Sequence, residues 1–403
     1  MIKLKKLDTY FDNARVKGKA QEKREVRPVE KTKGIELYQP DPWPEAVDGA
    51  EVLTDIAEKL QQHMAMREAY TYAGTLWCAH AHCFEQFTHS PLIAISAPAP
   101  ECGKSVLLSL LGALVPRSQS TDNMSPAPFF RLAASHKPTF LIDEVDAWFK
   151  EDSQLPSAIN ASFEKYGGGV LRCVGDSHEV QSFDTFTPVA VCGINVTKRL
   201  PPATVSRSIV IELDRALPGE VEIPYDQRKH RGELEVLSRK LARWISDNDF
   251  RNCDPTLPAG VMNRQADKWR PLFAIAEAAG GLWPEWAKRS LMSMPAVARA
   301  TRETELLADI SKVLGIYGSV YREVIFSREL ARALSELDES LWADYNFRKH
   351  LPEERCIQPR QLASLLGDFH LSPRELRRED EKKRGYRRKD LEAVIARYLP
   401  DGS

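Results

Sequence analysis

Four short apolar runs constrain this chain more than any other feature: Pro91 to Ser96, Thr139 to Ile142, Pro188 to Ile194 and Ser208 to Leu213. Each is bounded by helical or loop segments and is too short for a buried helix. Runs of this length between amphipathic helices predict buried parallel strands, and hence an α/β sheet covered on both faces. The composition agrees, with 43% hydrophobic and 28% charged residues over 403 positions. That balance excludes a chain disordered throughout or a collagen-like one, and the length predicts two or three domains. No apolar run reaches the ~18–20 residues of a membrane helix. The start, Met1-Ile2-Lys3-Leu4-Lys5-Lys6, runs on into polar residues and shows no secretory signal. Seven cysteines, odd in number and irregularly spaced, predict reduced thiols. The expectation is a soluble cytoplasmic protein with no membrane partner.

The chain divides by pattern. Residues 1–34 carry eleven Lys/Arg against five Asp/Glu and few large apolar residues, which predicts a flexible basic arm. Tyr38-Gln39-Pro40-Asp41-Pro42-Trp43-Pro44 predicts an extended strap, because its prolines exclude helix interior. Residues 35–90 otherwise form a helical segment: Asp48 is a candidate cap, Val52, Ile56, Leu60 and Met64 recur at i, i+4, and a second helix spans Ala69 to Phe87. The sheet lies over 91–216, a helical lid over 217–300, and a smaller charged domain over 301–403. No internal repeat interrupts this order.

The strongest motif is Ala97-Pro98-Ala99-Pro100-Glu101-Cys102-Gly103-Lys104-Ser105. An apolar strand leads into it and the helix from Val106 leads out, the context a phosphate-cradling loop requires. There the backbone N–H groups of a helix start favour an anion. Pro100, Glu101, Cys102, Gly103, Lys104, Ser105 and Val106 form the candidate nucleotide contact. Lys104 would reach the β and γ phosphates of ATP, and the Ser105 hydroxyl would bind Mg²⁺. Pro98 stands where the first glycine of the P-loop pattern belongs, a departure from it.

Downstream, Thr139-Phe140-Leu141-Ile142 ends in Asp143-Glu144-Val145-Asp146. Asp143 would orient the metal and Glu144 would polarise the attacking water. A strand reaching a solvated acidic turn explains either motif alone, and much less readily both. The strand Val189 to Ile194 ends in Asn195, where AAA+ ATPases carry a polar sensor for the lytic water. Arg207 precedes the last strand, the place of an arginine finger reaching a neighbouring subunit; the alternative is a surface arginine. Arg270, in Lys268-Trp269-Arg270-Pro271, stands where a second sensor arginine would be, or is simply a helix-face arginine beside a packed tryptophan.

These residues resemble a family of P-loop, AAA+-like helicases and primase-associated helicases of phages, plasmids and integrated mobile elements, whose C-terminal part is a domain of unknown function. The likeness runs from Ser96-Ala97-Pro98 through Gly-Lys-Ser and Leu141-Ile142-Asp143-Glu144. It continues in Arg172-Cys173-Val174-Gly175-Asp176, Arg207-Ser208-Ile209-Val210-Ile211, Asp267-Lys268-Trp269-Arg270-Pro271-Leu272 and Gly385-Tyr386-Arg387-Arg388. It covers roughly residues 35–400. It implies an α/β parallel-sheet P-loop core, ATP hydrolysis with Mg²⁺, assembly into a homo-oligomeric ring and a place in DNA replication. No primase module is evident, so priming would need a separate protein.

Two segments are candidate DNA contacts. Gly169 to Val174 and Val180 to Phe183 flank Gly175-Asp176-Ser177-His178 and predict a β-hairpin, with Arg172 and His178 facing a central channel or, alternatively, open solvent. From Pro359 the order helix, turn, basic helix, basic ribbon, helix predicts a winged helix. Its second helix would start at Ser372-Pro373 and carry Arg374, Arg377 and Arg378. The ribbon would carry Lys383, Arg384, Arg387 and Arg388. The alternative is a winged helix that docks protein. Cys78-x-His80-x-His82-Cys83 does not converge on one point of a helix and reads as packing. The function expected is an ATP-driven helicase or translocase on single-stranded or forked DNA; the rival is an ATP-dependent switch, loader or defence regulator that unwinds nothing.

Overall fold

The computed structural model describes residues 35–145, 154–167, 169–174, 179–294, 302–318, 320–321, 323–338, 340–346, 349 and 351–399. The basic arm over 1–34 and His178 lie outside them. The chain divides into two units, Met1–Val297 and Ala298–Ser403.

The first unit is built on a five-stranded parallel sheet. Its strands are β1 (Leu92–Ala97), β2 (Ser118–Thr121), β3 (Thr139–Ile142), β6 (Val189–Ile194) and β7 (Ser208–Glu212), in the order β2-β3-β6-β1-β7. The inserted β4 (Val170–Val174) and β5 (Glu179–Phe183) pair only with each other, as an antiparallel ribbon. Alternation along each strand sends side chains to two separate cores. Ile93, Ile95, Leu141, Cys192, Ile209 and Ile211 enter one, while Leu92, Ala94, Phe140, Ile142, Val191 and Val210 enter the other. Every position of β1 and β3 is buried, which is why those stretches read as unbroken apolar runs.

Helices cover both faces. One carries α4 (Pro126–His136) and α5 (Leu155–Asn160), with the short α6 (Val196–Arg199) and α7 (Pro202–Ser206). The other carries α1 (Gly49–His63), α2 (Glu68–Cys83), α3 (Lys104–Leu114), α8 (Gln227–Ser246), α9 (Asn263–Ala279) and α10 (Trp283–Ser293). α1 starts where Asp48 accepts the Glu51 N–H at 2.9 Å, and it buries Val52, Ile56 and Leu60. α2 is apolar on nearly all sides and lies in the middle of this layer. Its Cys78 and His80 are fully buried, His82 bonds the Leu114 carbonyl at 2.8 Å, and Cys83 donates to Ala79. Burial pushes His80 down to about 3 and His82 to about 4, so both rings stay neutral. The helices of the N-terminal segment and of the expected lid pack in the same core as the sheet. Trp77, Trp244, Trp269 and Trp283 join Leu107 and Ile95 in one core.

The second unit has its own core, with Leu306, Ile310, Leu330, Trp342, Leu362, Tyr386 and Leu391 at its centre. Its elements are α11 (Arg302–Ile316), β8 (Val324–Phe326), α12 (Ser327–Ser335), α13 (Pro352–Arg355), α14 (Pro359–Gly367), β9 (Arg374–Arg378), β10 (Glu381–Arg387) and α15 (Arg388–Tyr398). The antiparallel sheet runs β8-β10-β9. One expectation is corrected here: Arg374, Arg377 and Arg378 sit on a strand, not on a helix starting at Ser372-Pro373. Arg, Glu and Leu favour helix, but the two-residue turn Glu379-Asp380, with Glu379 at φ 52°, folds this segment onto β10. Pairing then overrides propensity. Gly385 is required by the β8 contact, because a Cβ there would lie 2.4 Å from the Ile325 carbonyl oxygen.

Candidate functional site

Parallel strands leave their C-terminal ends on one edge, and the candidate loop residues gather there. Ala97 of β1 is level with Ile194 of β6, and Ile142 of β3 with Val191 of the same β6. The segment from Pro98 to Gly103, the Asp143-Glu144 pair and Asn195 therefore leave adjacent strands side by side. The Asn195 N–H donates to the Ala97 carbonyl at 2.9 Å and the Val196 N–H to Ser96 Oγ at 3.1 Å, tying the β6 exit to the β1 exit.

The backbone there is unusual. Glu101 (φ 63°), Gly103 (φ 82°), Glu144 (φ 51°) and Asn195 (φ 52°) all adopt left-handed conformations. For residues with a Cβ this costs roughly 1–2 kcal/mol each, least for Asn. Strain concentrated at one edge of a sheet marks a site that positions groups. Gly103 caps α3 without any side-chain bond, so the first N–H groups of an 11-residue helix face outward beside Lys104 and Ser105. Cys102 is buried and anchors the loop, its thiol reaching the Pro100 carbonyl at 3.6 Å. Lys104 Nζ donates to the Ala99 carbonyl at 3.0 Å, curling the ammonium over the loop, and Ser105 is exposed at the mouth. Val106 turns half inward against the core.

Asp143 continues the β3 alternation onto the face that carries α3. Its Oδ1 accepts the Glu144 N–H at 2.7 Å and the Cys192 thiol at 2.7 Å. Burial pushes the Cys192 thiol up, and the bond to Asp143 with its negative charge pushes it further, while Lys104 pulls the other way. The thiol therefore stays protonated and acts as a donor that fixes one carboxylate oxygen of Asp143. Glu144 is exposed. Sequence reasoning missed Cys192, although its signal was available: a polar atom two residues before the end of an otherwise apolar strand. It also missed Arg215, which follows the last strand and pairs with Glu101 of the loop.

Two predicted residues lie elsewhere. Ser208 is level with Leu92, the first residue of β1, so Arg207 stands at the opposite edge of the sheet from the loop. It donates to the Ala203 carbonyl at 2.7 Å and lies 5.8 Å from the Phe163 ring centroid. Arg270, expected as a second sensor arginine, is not brought to the loop. It bonds Asp254 at 2.7 Å, on a helix whose Lys268 donates to the Ser208 carbonyl at 2.9 Å, again at the far edge.

Of the candidate DNA contacts in the ribbon, Arg172 folds back: it lies 5.3 Å over Phe130 and bonds Gln154 at 3.2 Å. The exposed ribbon face carries Leu171 and Val180 instead. In the second unit, Arg374, Arg377, Lys383, Arg384 and Arg387 are exposed on the β9–β10 hairpin. Lys383 pairs with Glu381 at 2.8 Å and Arg377 weakly with Asp380 at 3.9 Å. Arg378 and Arg388, also expected on DNA, are bonded within the unit. Arg378 forks onto both oxygens of Glu329 at 2.8 and 2.5 Å over the Phe326 ring. Arg388 holds Glu392 at 2.6 Å and the Gly318 carbonyl at 3.0 Å. Both guanidiniums are taken up in fixing the unit's own fold.

The five-stranded parallel sheet flanked by helices fits an α/β nucleotide-binding fold. Residues 212–398 match the model of a family described as a protein of unknown function, DUF3631. The chain is 29% identical over 194 residues to an uncharacterized 28.9 kDa protein in the xis 5' region of Saccharopolyspora erythraea, covering 46% of this chain and 68% of that protein. Two solved structures of the NrS-1 C terminal region, in the A form without ligand, are similar over 86% of this chain and 77% of theirs. Their TM-scores are 0.42 and 0.43, at 11% and 13% identity. Among the described residues no helix is long and apolar enough to cross a membrane.

Proposed function

We propose that this protein is an AAA+-like P-loop ATPase that couples ATP hydrolysis to movement on DNA as a self-assembled ring, in replication of a phage, plasmid or other mobile element. One observation carries the reading: a strained Gly103-Lys104-Ser105 loop at an open helix start, an acidic pair and Asn195 leave neighbouring parallel strands at one edge. The strand bearing Asp143 is separated from the loop strand by β6 alone, a spacing that would admit a triphosphate between loop and acids.

The residues fit ATP and a divalent ion. The outward N–H groups of α3 and the Lys104 ammonium bind and neutralise phosphate oxygens. Ser105 and Asp143 are the oxygen groups that would hold Mg²⁺, and the ion would supply positive charge against the phosphates. With Oδ1 held by the Cys192 thiol and the Glu144 N–H, the other Asp143 oxygen would take that task. Glu144 orients the attacking water and takes its proton, and Asn195 holds the water in line. Arg207 lies too far from its own loop and is supplied to the loop of a neighbouring subunit. The second unit supports a winged helix, with β9–β10 as the wing and its exposed arginines on DNA phosphates. A separate primase would supply primers.

The rival, an ATP-dependent switch or loader, is favoured by one observation: Arg172, Arg378 and Arg388 all turn inward. ATP turnover with and without single-stranded DNA, on wild type and Glu144→Gln, decides between them. The expected result is DNA-stimulated turnover lowered on the order of 100- to 10,000-fold by Glu144→Gln. Turnover indifferent to DNA would replace the motor with the switch.

A further inference from the structure

The far edge of the sheet carries more than Arg207. Phe163, fully buried in the turn after α5, presents its ring to two guanidiniums: Arg207 at 5.8 Å and Arg264 of α9 at 5.0 Å. The His89 ring lies 5.1 Å from the same phenyl group. Burial and the neighbouring charge of Arg264 both lower Arg207, so the two cations are close enough to repel. Lys268, buried on the Ser208 carbonyl, feels Arg264 as well.

Compensation within the chain is partial. Asp267 stands 3.8 Å from Arg264 and Glu164 acts on Arg207, but Asp254 is occupied by Arg270. Arg264 also sits in the first turn of a 17-residue helix with no acidic residue in that turn and no side-chain cap. A cation there opposes the helix dipole. Like charges side by side at the positive end of a helix are relieved by an incoming anion, and a forked pair matches phosphoryl oxygens. Its own loop cannot supply one, because β1 separates the two edges by five residue steps, roughly 16 Å at ~3.3 Å each.

We infer that Arg264 and Arg207 together form a two-guanidinium clamp, organised on Phe163, for the terminal phosphate of the nucleotide held in the loop of a second copy of this chain. The inference rests on the proposed function above and adds a residue from outside the sheet to the active site. Arg207 reaches one side of the γ-phosphoryl group and Arg264 the other. Charge that builds on its equatorial oxygens during hydrolysis is then met by both.

Subunit mixing tests this. Arg264→Ala is expected to lower turnover at least about 100-fold while its own loop binds a fluorescent ATP analogue as tightly as wild type. Mixing it with Lys104→Ala, which is inactive but keeps both arginines, should restore a fraction of turnover. Arg264→Lys, which keeps a cation over Phe163 without the fork, controls for folding: it should melt with wild type and still turn over slowly. Turnover of Arg264→Ala at the wild-type rate, with Arg207→Ala inactive, would overturn the clamp and leave the ATPase reading intact. Failure of the mixture to recover would also overturn it, placing Arg264 in its own subunit's structure. Wild type that binds no ATP analogue would overturn the ATPase reading, and the clamp with it.

Discussion

At Gly103 the main chain adopts φ 82°, and a Cβ built there would come within 2.9 Å of the Met64 methyl group at the end of α1. The methyl can move, but the left-handed backbone cannot be shared cheaply with alanine. Gly103→Ala is expected to weaken ATP-analogue binding about tenfold, as a penalty of roughly 1–2 kcal/mol implies, with a small fall in unfolding temperature. Titration with a fluorescent analogue and thermal unfolding check both halves. Lys268 gives a second residue-scale expectation. Burial, and then Arg264, bring its ammonium down to about 8 from an ordinary 10.5. Between those values the unfolded chain binds more protons than the folded one, so stability rises with pH from about 8 to 10.5 and the penalty is complete below 8. The depression corresponds to about 3 kcal/mol. Unfolding temperatures of wild type and Lys268→Met should therefore converge, or cross in favour of wild type, as pH rises from 7 to 10.

The β9–β10 hairpin shows what element-scale reading could and could not reach. Its charge was evident in the sequence, and so was the ribbon from Lys382 onward. The strand β9 was not, because Arg374-Glu375-Leu376-Arg377-Arg378 has good helix propensity and only its pairing with β10 makes it extended. Once it is a strand, its arginines divide by face and position. Arg378 meets Phe326 and Glu329 of neighbouring elements, while Arg374 stands at the open end beside Gly385. Replacing Arg374, Arg384 and Arg387 by Glu is expected to weaken DNA binding across all sequences. It should also flatten the dependence of log K on log salt by roughly 0.7–0.9 for each phosphate that is no longer neutralised. Binding isotherms at several salt concentrations check it. An unchanged slope would put the DNA elsewhere on the molecule.

For the whole molecule, the division at Val297–Ala298 predicts two cooperative units, each with its own apolar core. Residues 298–403 alone are expected to melt as one cooperative transition by circular dichroism, and the full chain to show two. A single transition in the full chain, with an unfolded fragment, would refute independent folding. The first unit resists further subdivision for a physical reason. α1 and α2 precede the sheet in sequence and α8 to α10 follow it, yet all five helices bury their apolar faces against one another and β1. The N-terminal helices and those expected as a lid share one core with the sheet.

The edge strand β2, Ser118-Gln119-Ser120-Thr121, has no apolar run, and only its pairing with β3 reveals it. Local pattern was enough for the other four strands of that sheet, and to single out the candidate loop and the acidic turn. Their evidence is written in neighbouring residues: unbroken apolar runs of four to seven, a glycine-lysine-serine at a helix start, two carboxylates at a strand end. Each of those is a property of a few consecutive positions, so no distant contact was needed to read it. What lay beyond reach was which edge each arginine occupies. Arg207 and Arg270 stand at the far end of the sheet from the loop, and Arg264 joins Arg207 on Phe163 across about a hundred residues of chain. Arg215, unremarked in the sequence, lies beside the loop. Long cationic side chains carry no mark of their partner, and strand order with parallel register is what brings them to one edge or the other.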